Sequence, residues 1–144
     1  MKKLILSTLL ATGSCFALSN FAYAQQFHSK DYTVICSTDS DNPTSVGCSI
    51  KGNLIKHHYQ PKEECELDWG QNFSLDAKAS KAQIDCASDA YGGGEESKLL
   101  KVGQSVKGDG WVCTAIAGDG MKCMTNSQKH GFSLNKSKQV LINK

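Results

Sequence analysis

The sequence predicts an all-β single domain, mainly antiparallel and of the small sandwich or barrel-like kind, that is stapled by disulfides. After an apolar run at the N-terminus, no segment keeps the 3.6-residue apolar period of an amphipathic helix. Several short segments instead alternate apolar and polar residues or flank turns rich in Gly, Asp and Asn. Six of the seven cysteines lie after residue 24. Together these features favour about seven or eight short strands.

The N-terminus has the organisation of a secretory signal peptide. Two lysines precede an apolar run at 4–18, and an Ala-x-Ala sequence ends at Ala24. We therefore expect cleavage after Ala24, which leaves a single domain, residues 25–144, in the periplasm or the medium. A rival interpretation makes Cys15 a lipidation site, but Thr12 stands where that motif needs an aliphatic residue.

Composition argues against a nucleic-acid partner and against a transmembrane segment. All 16 basic residues are lysines, so the chain lacks the guanidinium groups that recognise phosphate in a bidentate manner. Two lysines leave with the signal peptide, and the others balance the 14 acidic residues. We expect no nucleic-acid partner. No later segment is apolar for long enough to cross a bilayer, so we expect no transmembrane segment in the mature chain.

An even set of cysteines in an exported chain predicts three disulfides, although sequence alone allows 15 connectivities. A structural metal site would need closely spaced ligands such as C-x-x-C, which are absent. We expect no cofactor. The six residues are Cys36, Cys48, Cys65, Cys86, Cys113 and Cys123.

Two segments resemble copies of one another and indicate the pairing. In each, an apolar strand with a cysteine leads through a polar turn to a second such strand, as in a β-hairpin. Cysteines on facing strands come within bonding distance. The expected disulfides are Cys36–Cys48 and Cys113–Cys123, which leaves Cys65–Cys86.

The remaining segments follow in order along the chain. Residues 25–31 are predicted to be a frayed terminus, 51–64 a surface loop and 92–96 a flexible, turn-rich link. The segments predicted to supply strands are 32–37, 46–50, 73–75, 82–86, 111–114, 121–124, 130–134 and 139–142.

The sequence Cys65-Glu66-Leu67-Asp68-Trp69-Gly70, followed by Trp111-x-Cys113 and His130-Gly131-Phe132, resembles an uncharacterised family of exported bacterial domains. Members of this family carry six cysteines in the same order. The resemblance extends from Cys36 to Leu141. It implies one exported, disulfide-bonded domain and implies no activity.

The candidate binding residues are Trp69, His130 and Phe132. A catalytic interpretation makes His130 a general base beside Asp68 or Asp85. No residue stands out as its nucleophile, and no Ser lies in a G-x-S-x-G turn. The favoured interpretation places Phe132 in the core and assigns no catalytic residue.

The sequence favours neither of two possible metal sites. Adjacent histidines in an extended chain point in opposite directions, so His57 and His58 do not easily share an ion with Glu63 or Glu64. An acidic group around the triple glycine lacks the D-x-D-x-D-G spacing of a calcium loop. Its members are Asp85, Asp89, Glu95 and Glu96.

Charge is uneven along the chain, because acidic side chains outnumber lysines in residues 63–96, whereas residues 121–144 contain lysines and no acidic residue. This asymmetry and the incomplete catalytic set favour a non-enzymatic binding module for a protein or an envelope polymer. The alternative is a small hydrolase that uses His130 and a nearby carboxylate.

Overall fold

The computed structural model describes residues 25–93 and 96–144, in which there are eleven β-strands and no helix. The predicted signal peptide, its cleavage site and Cys15 lie outside the described residues. The all-β prediction is confirmed. The strands are β1 Gln26–His28, β2 Val34–Thr38, β3 Ser45–Ile50, β4 Asn72–Asp76, β5 Gln83–Asp85, β6 Lys98–Leu99, β7 Ser105–Lys107, β8 Trp111–Ile116, β9 Gly120–Thr125, β10 His130–Asn135 and β11 Lys138–Asn143.

The strands form two sheets around one apolar core. The first has the order β5-β4-β3-β2-β1-β6, and the second has the order β11-β10-β9-β8-β7. All neighbouring strands are antiparallel except β1 and β6, which are parallel. No helix in the described part of the chain is long and apolar enough to cross a membrane.

The two sheets repeat one plan, because β1–β5 and β7–β11 are both five-stranded meanders with the same order. The register repeats as well. One row of paired residues crosses each sheet and carries a cysteine at its second and third positions and a phenylalanine at its fourth. The rows are Phe27, Cys36, Cys48, Phe73, Ile84 and Val106, Cys113, Cys123, Phe132, Leu141.

Equivalent residues of the two rows meet in the core. The Sγ atoms of Cys48 and Cys123 lie 3.6 Å apart, and the rings of Phe73 and Phe132 have centroids 5.9 Å apart. The sulfur contact is a van der Waals contact, since both atoms belong to disulfides and carry no hydrogen. Contacts between equivalent residues are expected when an approximate two-fold axis relates the two sheets.

The three disulfides are Cys36–Cys48, Cys65–Cys86 and Cys113–Cys123, which is the pairing expected from the hairpins. The first and third link the central strands within each sheet and are fully buried. The second lies outside the repeated plan. It ties residues 51–71, which connect β3 to β4, to the chain just after β5.

The segment 51–64 contains no strand, as predicted, but its inner side joins the core. Leu54 is buried, and the ring of Tyr59 packs edge-on against Phe73 with centroids 5.9 Å apart. The Tyr59 hydroxyl oxygen also accepts the Leu141 N–H at 2.6 Å. The connection is therefore held against both sheets.

The prediction of a frayed terminus at 25–31 is wrong for β1. Phe27 is fully buried, and β1 lies between β2 and β6 in the first sheet. Three residues are too few to show an alternating pattern, so their burial depends on partners distant in sequence. Short strands such as β1 and β6 also explain why eleven strands are present in place of seven or eight.

Candidate functional site

An open groove of about 510 Å³ lies at the end of the sandwich where β8 turns into β9. One wall is the connection from β1 to β2, and another is the segment that follows β6. Most of the surface inside the groove is apolar. The lining residues are Ser29, Lys30, Asp31, Leu99, Leu100, Lys101, Val102, Ala115, Ile116, Asp119 and Gly120.

Exposed apolar side chains concentrate at this groove. Among the residues that the structure describes, five large hydrophobic side chains are exposed. Leu99, 43% exposed, and Val102, 69% exposed, line the groove, and Tyr32 lies in the adjoining connection. The other two belong to the connection 51–71. A cluster of this kind beside a cavity is typical of a binding surface.

Asp119 fixes the groove wall by joining the β8–β9 turn to the β1–β2 connection. Its carboxylate oxygens accept the Asp31 N–H at 3.1 and 3.2 Å, and they also accept hydrogen bonds from Thr33 and Ser29. Partial burial raises the pKa of this carboxyl, but the hydrogen bonds outweigh burial and hold the pKa below 3.8. Hydrogen bonds within the protein therefore hold this wall of the groove in place.

The β1–β2 connection is ordered from within as well. The rings of His28 and Tyr32 stack with centroids 3.6 Å apart, and Tyr32 has a left-handed backbone with φ 55°. The Ser29 Oγ accepts the Val34 N–H at 3.0 Å. Such internal bonds lower the entropy that a partner would have to remove on binding.

The predicted binding residues do not form one surface. Phe132 is fully buried in the core, and His130 is 8% exposed. Trp69 is half-buried in the connection 51–71, where the Lys62 Nζ lies 4.7 Å from its ring centroid in a cation–π arrangement. Trp111 is buried in the core.

The structure does not assemble the catalytic pair of the hydrolase alternative. The His130 Nε2 is buried and has no hydrogen-bond partner within the described residues. Asp85 accepts hydrogen bonds from Ser74 at 2.9 Å and Tyr91 at 2.9 Å. Asp68 contributes its backbone carbonyl to a contact with Cys65. No carboxylate in the described ranges is hydrogen-bonded to the imidazole.

None of the weighed metal sites is brought together in the part of the chain that the structure describes. The His58 ring is engaged with the Gln139 Oε1 at 3.2 Å, and His57 is exposed. The one cluster with metal-ligand spacing in the described ranges is Cys36, Cys48 and Cys123. All three sulfurs are in disulfides and offer no thiolate. Of the acidic group near the triple glycine, Glu95 lies outside the described residues.

The acidic and basic segments meet at one edge of the sandwich. The Ala82 N–H donates to the Asn143 Oδ1 at 2.9 Å, and the Asn143 Nδ2 donates to the Ala82 carbonyl at 3.1 Å. These bonds bring β5, within the acidic segment, beside β11, within the basic segment. Proximity of opposite charge reduces the field that either segment projects into solvent.

Sequence reasoning missed the groove. It assigned no strand or loop to residues 99–106 and placed Asp119 in the turn between segments 111–114 and 121–124, but it did not connect the two. The one local signal was the apolar pair Leu99-Leu100 and Val102 on either side of Lys101, close to Gly103, where a long buried strand is not expected.

Comparison with known proteins supports the resemblance inferred from the cysteine motifs. Residues 4–142 match the model of a family described as a family of unknown function, DUF6636. No curated protein and no solved structure matches the chain.

Proposed function

We propose a binding function for this chain, which belongs to the DUF6636 family of unknown function. In this proposal residues 25–144 are exported after removal of the signal peptide, and the groove receives an apolar part of a protein partner. The groove is the observation that carries the proposal, because apolar side chains are exposed there inside walls held by hydrogen bonds. Three disulfides suit an oxidising compartment outside the cytoplasm.

A rigid scaffold suits this role. The two core disulfides and the Asp119 contacts limit the movement of the groove walls, so less entropy is lost on association. A hydrolase is not proposed, since the His130 ring has no carboxylate partner among the described residues. An envelope polymer stays the alternative occupant and is an outcome of the test.

Site-specific photo-crosslinking tests the proposal. One form of the protein carries p-benzoylphenylalanine at position 102 in the groove, and a matched control carries it at position 55, which is 75% exposed in the connection 51–71. We expect position 102 to crosslink to a protein partner. An excess of this protein without the photo-crosslinker should compete the product away. With purified partner, the amount of product should reach a plateau as the partner concentration rises.

Two results would overturn the proposal. Equal capture at positions 102 and 55 would mean that the groove is not the contact surface. A competed product that resists protease and is removed by glycan hydrolases would assign the groove to an envelope polymer. Mass spectrometry of the same preparation tests export, because the proposal expects Gln25 at the N-terminus.

A further inference from the structure

The internal repeat of the fold supplies a second copy of the groove's surroundings. At the groove, the β1–β2 connection faces the β8–β9 turn. In the other half, the β7–β8 connection faces the β2–β3 turn. The backbone closes in the same way at both places, because the Ser29 N–H donates to the Val34 carbonyl at 2.9 Å and the Gly108 N–H donates to the Trp111 carbonyl at 3.0 Å.

An indole lies at the second place. Trp111 is 1% exposed, its Nε1 donates to the Pro43 carbonyl at 3.1 Å, and its ring lies against Gly108 so closely that a Cβ there would clash. The Trp111 and Phe27 rings are nearly parallel, with centroids 6.5 Å apart. The site therefore combines an apolar bed, a glycine and one carbonyl acceptor around a flat ring.

The groove lacks such an indole. The counterpart of Trp111 is Val34, because each lies two residues before the first cysteine of its hairpin. Valine is shorter and offers no N–H donor. Gly118 stands five residues before Cys123, as Pro43 does before Cys48, so its carbonyl is the counterpart acceptor. The groove has a volume of about 510 Å³, whereas the cavity at the equivalent place in the other half, which Trp111 helps to line, has about 130 Å³.

We propose that the groove receives an aromatic side chain of the protein partner, in the place that Trp111 fills in the other half of the fold. This rests on the proposed function and deepens it by naming the chemistry of the occupant. Aromatic side chains bury a large area with two rotatable bonds and dominate the energetics of many interfaces. An indole also offers the N–H that a turn carbonyl accepts.

The test uses N-acetyl-L-tryptophanamide as the probe and N-acetyl-L-leucinamide as the comparison, each titrated into the oxidised protein with methyl groups observed by NMR. We expect shifts at the methyl groups of Leu99, Val102, Ala115 and Ile116. The tryptophan probe should bind at least about tenfold more tightly than the leucine probe. Val102→Lys should weaken the shifts, whereas Ile55→Lys, at an exposed site away from the groove, should not.

The outcomes separate the two proposals. Groove shifts of equal or greater affinity with the leucine probe would overturn the aromatic occupant and leave a general apolar groove. An absence of groove shifts with either probe, up to its solubility limit, would overturn the aromatic occupant. If photo-crosslinking at position 102 also yields no competed product, the binding function itself is overturned.

Discussion

Asp119 illustrates how one surface carboxylate can join loops from two sheets. It adopts a left-handed backbone with φ 53°, which aspartate tolerates better than most residues. That conformation accompanies hydrogen bonds from Asp31, Thr33 and Ser29 to its carboxylate. Because this carboxylate has a pKa below 3.8, its ionised form is preferentially stabilised by the folded state.

We expect Asp119→Asn to lower the free energy of unfolding at neutral pH by about 1 kcal/mol. Asparagine keeps the left-handed backbone but removes the charge and one acceptor oxygen. A depressed folded pKa contributes stability above the unfolded value, and this contribution is lost as the pH falls through the folded value. The gap between wild type and variant should therefore close in acid. Urea unfolding at several pH values measures it, with the exposed Asp89→Asn as control, and a gap that stays constant would contradict the prediction.

Tyr91 gives a second titration at the opposite end of the pH range. Its ring covers Gly47, and its hydroxyl donates to Asp85 at 2.9 Å. Burial first, and then the charge of Asp85, raise the pKa of Tyr91 to about 12. The raised folded pKa contributes stability that is complete below pH 10.0, the ordinary value, and is lost as the pH rises through about 12.

An ultraviolet titration of the folded protein should therefore show a tyrosine ionisation step near pH 12. Tyr91→Phe should remove this late step and reduce stability at neutral pH by about 1 kcal/mol, since Asp85 loses a donor. Tyr32→Phe is the matched control, because Tyr32 is exposed and its replacement should leave the late step unchanged. The absence of a tyrosine step near pH 12 would show that the ring of Tyr91 is not held on the sheet.

At the scale of elements, the two hairpins place their disulfides in contact across the core. If Cys36 is replaced by serine, Cys48 keeps a thiol whose sulfur lies 3.6 Å from Cys123 in the native arrangement. Attack of the Cys48 thiolate on the Cys123 sulfur would form a Cys48–Cys123 bond and release Cys113 as a thiolate. The number of disulfides is conserved, so no external oxidant is needed.

Peptide mapping of Cys36→Ser without reduction should accordingly find Cys48–Cys123 together with a free Cys113. The new bond would link the two sheets, which no disulfide of the native protein does within the core. Cys65→Ser is the control, because the exposed Cys86 that it frees lies outside the repeated plan, and the core pairs should stay as they are. An intact Cys113–Cys123 bond in Cys36→Ser would contradict the prediction.

Elements with local signals were predictable, and elements that depend on distant partners were not. The hairpins around Cys36–Cys48 and Cys113–Cys123 have their turns and both strands within a short stretch of chain, so pattern and spacing identified them. The strand at Phe27 was not predicted, because Phe27 is buried through pairing with β2 and β6. The groove was not predicted for the same reason, since Leu99 and Asp119 line one groove only in the folded chain.

For the whole molecule, the repeated plan separates what holds the fold from what differs between its halves. Each sheet contains an equivalent row of core residues and an equivalent buried disulfide. The halves differ in the connection 51–71, in the Cys65–Cys86 bond and in the buried Val34, which is the counterpart of Trp111. A fold with a wide groove in one half and a smaller cavity at the equivalent place in the other can present a binding site without weakening its core.

The same division predicts the order in which the disulfides are reduced. Cys86 is exposed and Cys65 is half-buried, whereas the four hairpin cysteines are fully buried. A thiol reductant must reach a sulfur to attack it, so Cys65–Cys86 should open first under native conditions. The two core disulfides should open together, at the rate at which the sandwich unfolds.

Alkylation and mass spectrometry during treatment with dithiothreitol would resolve these phases. After the first, β-sheet circular dichroism should persist while the connection 51–71 becomes sensitive to protease. The double variant Cys65→Ser with Cys86→Ser should lack the first phase and lose about 3 kcal/mol of stability, because its unfolded chain is no longer restrained by that loop. Reduction of all three bonds at a single rate would mean that the third disulfide is as much a part of the cooperative core as the other two.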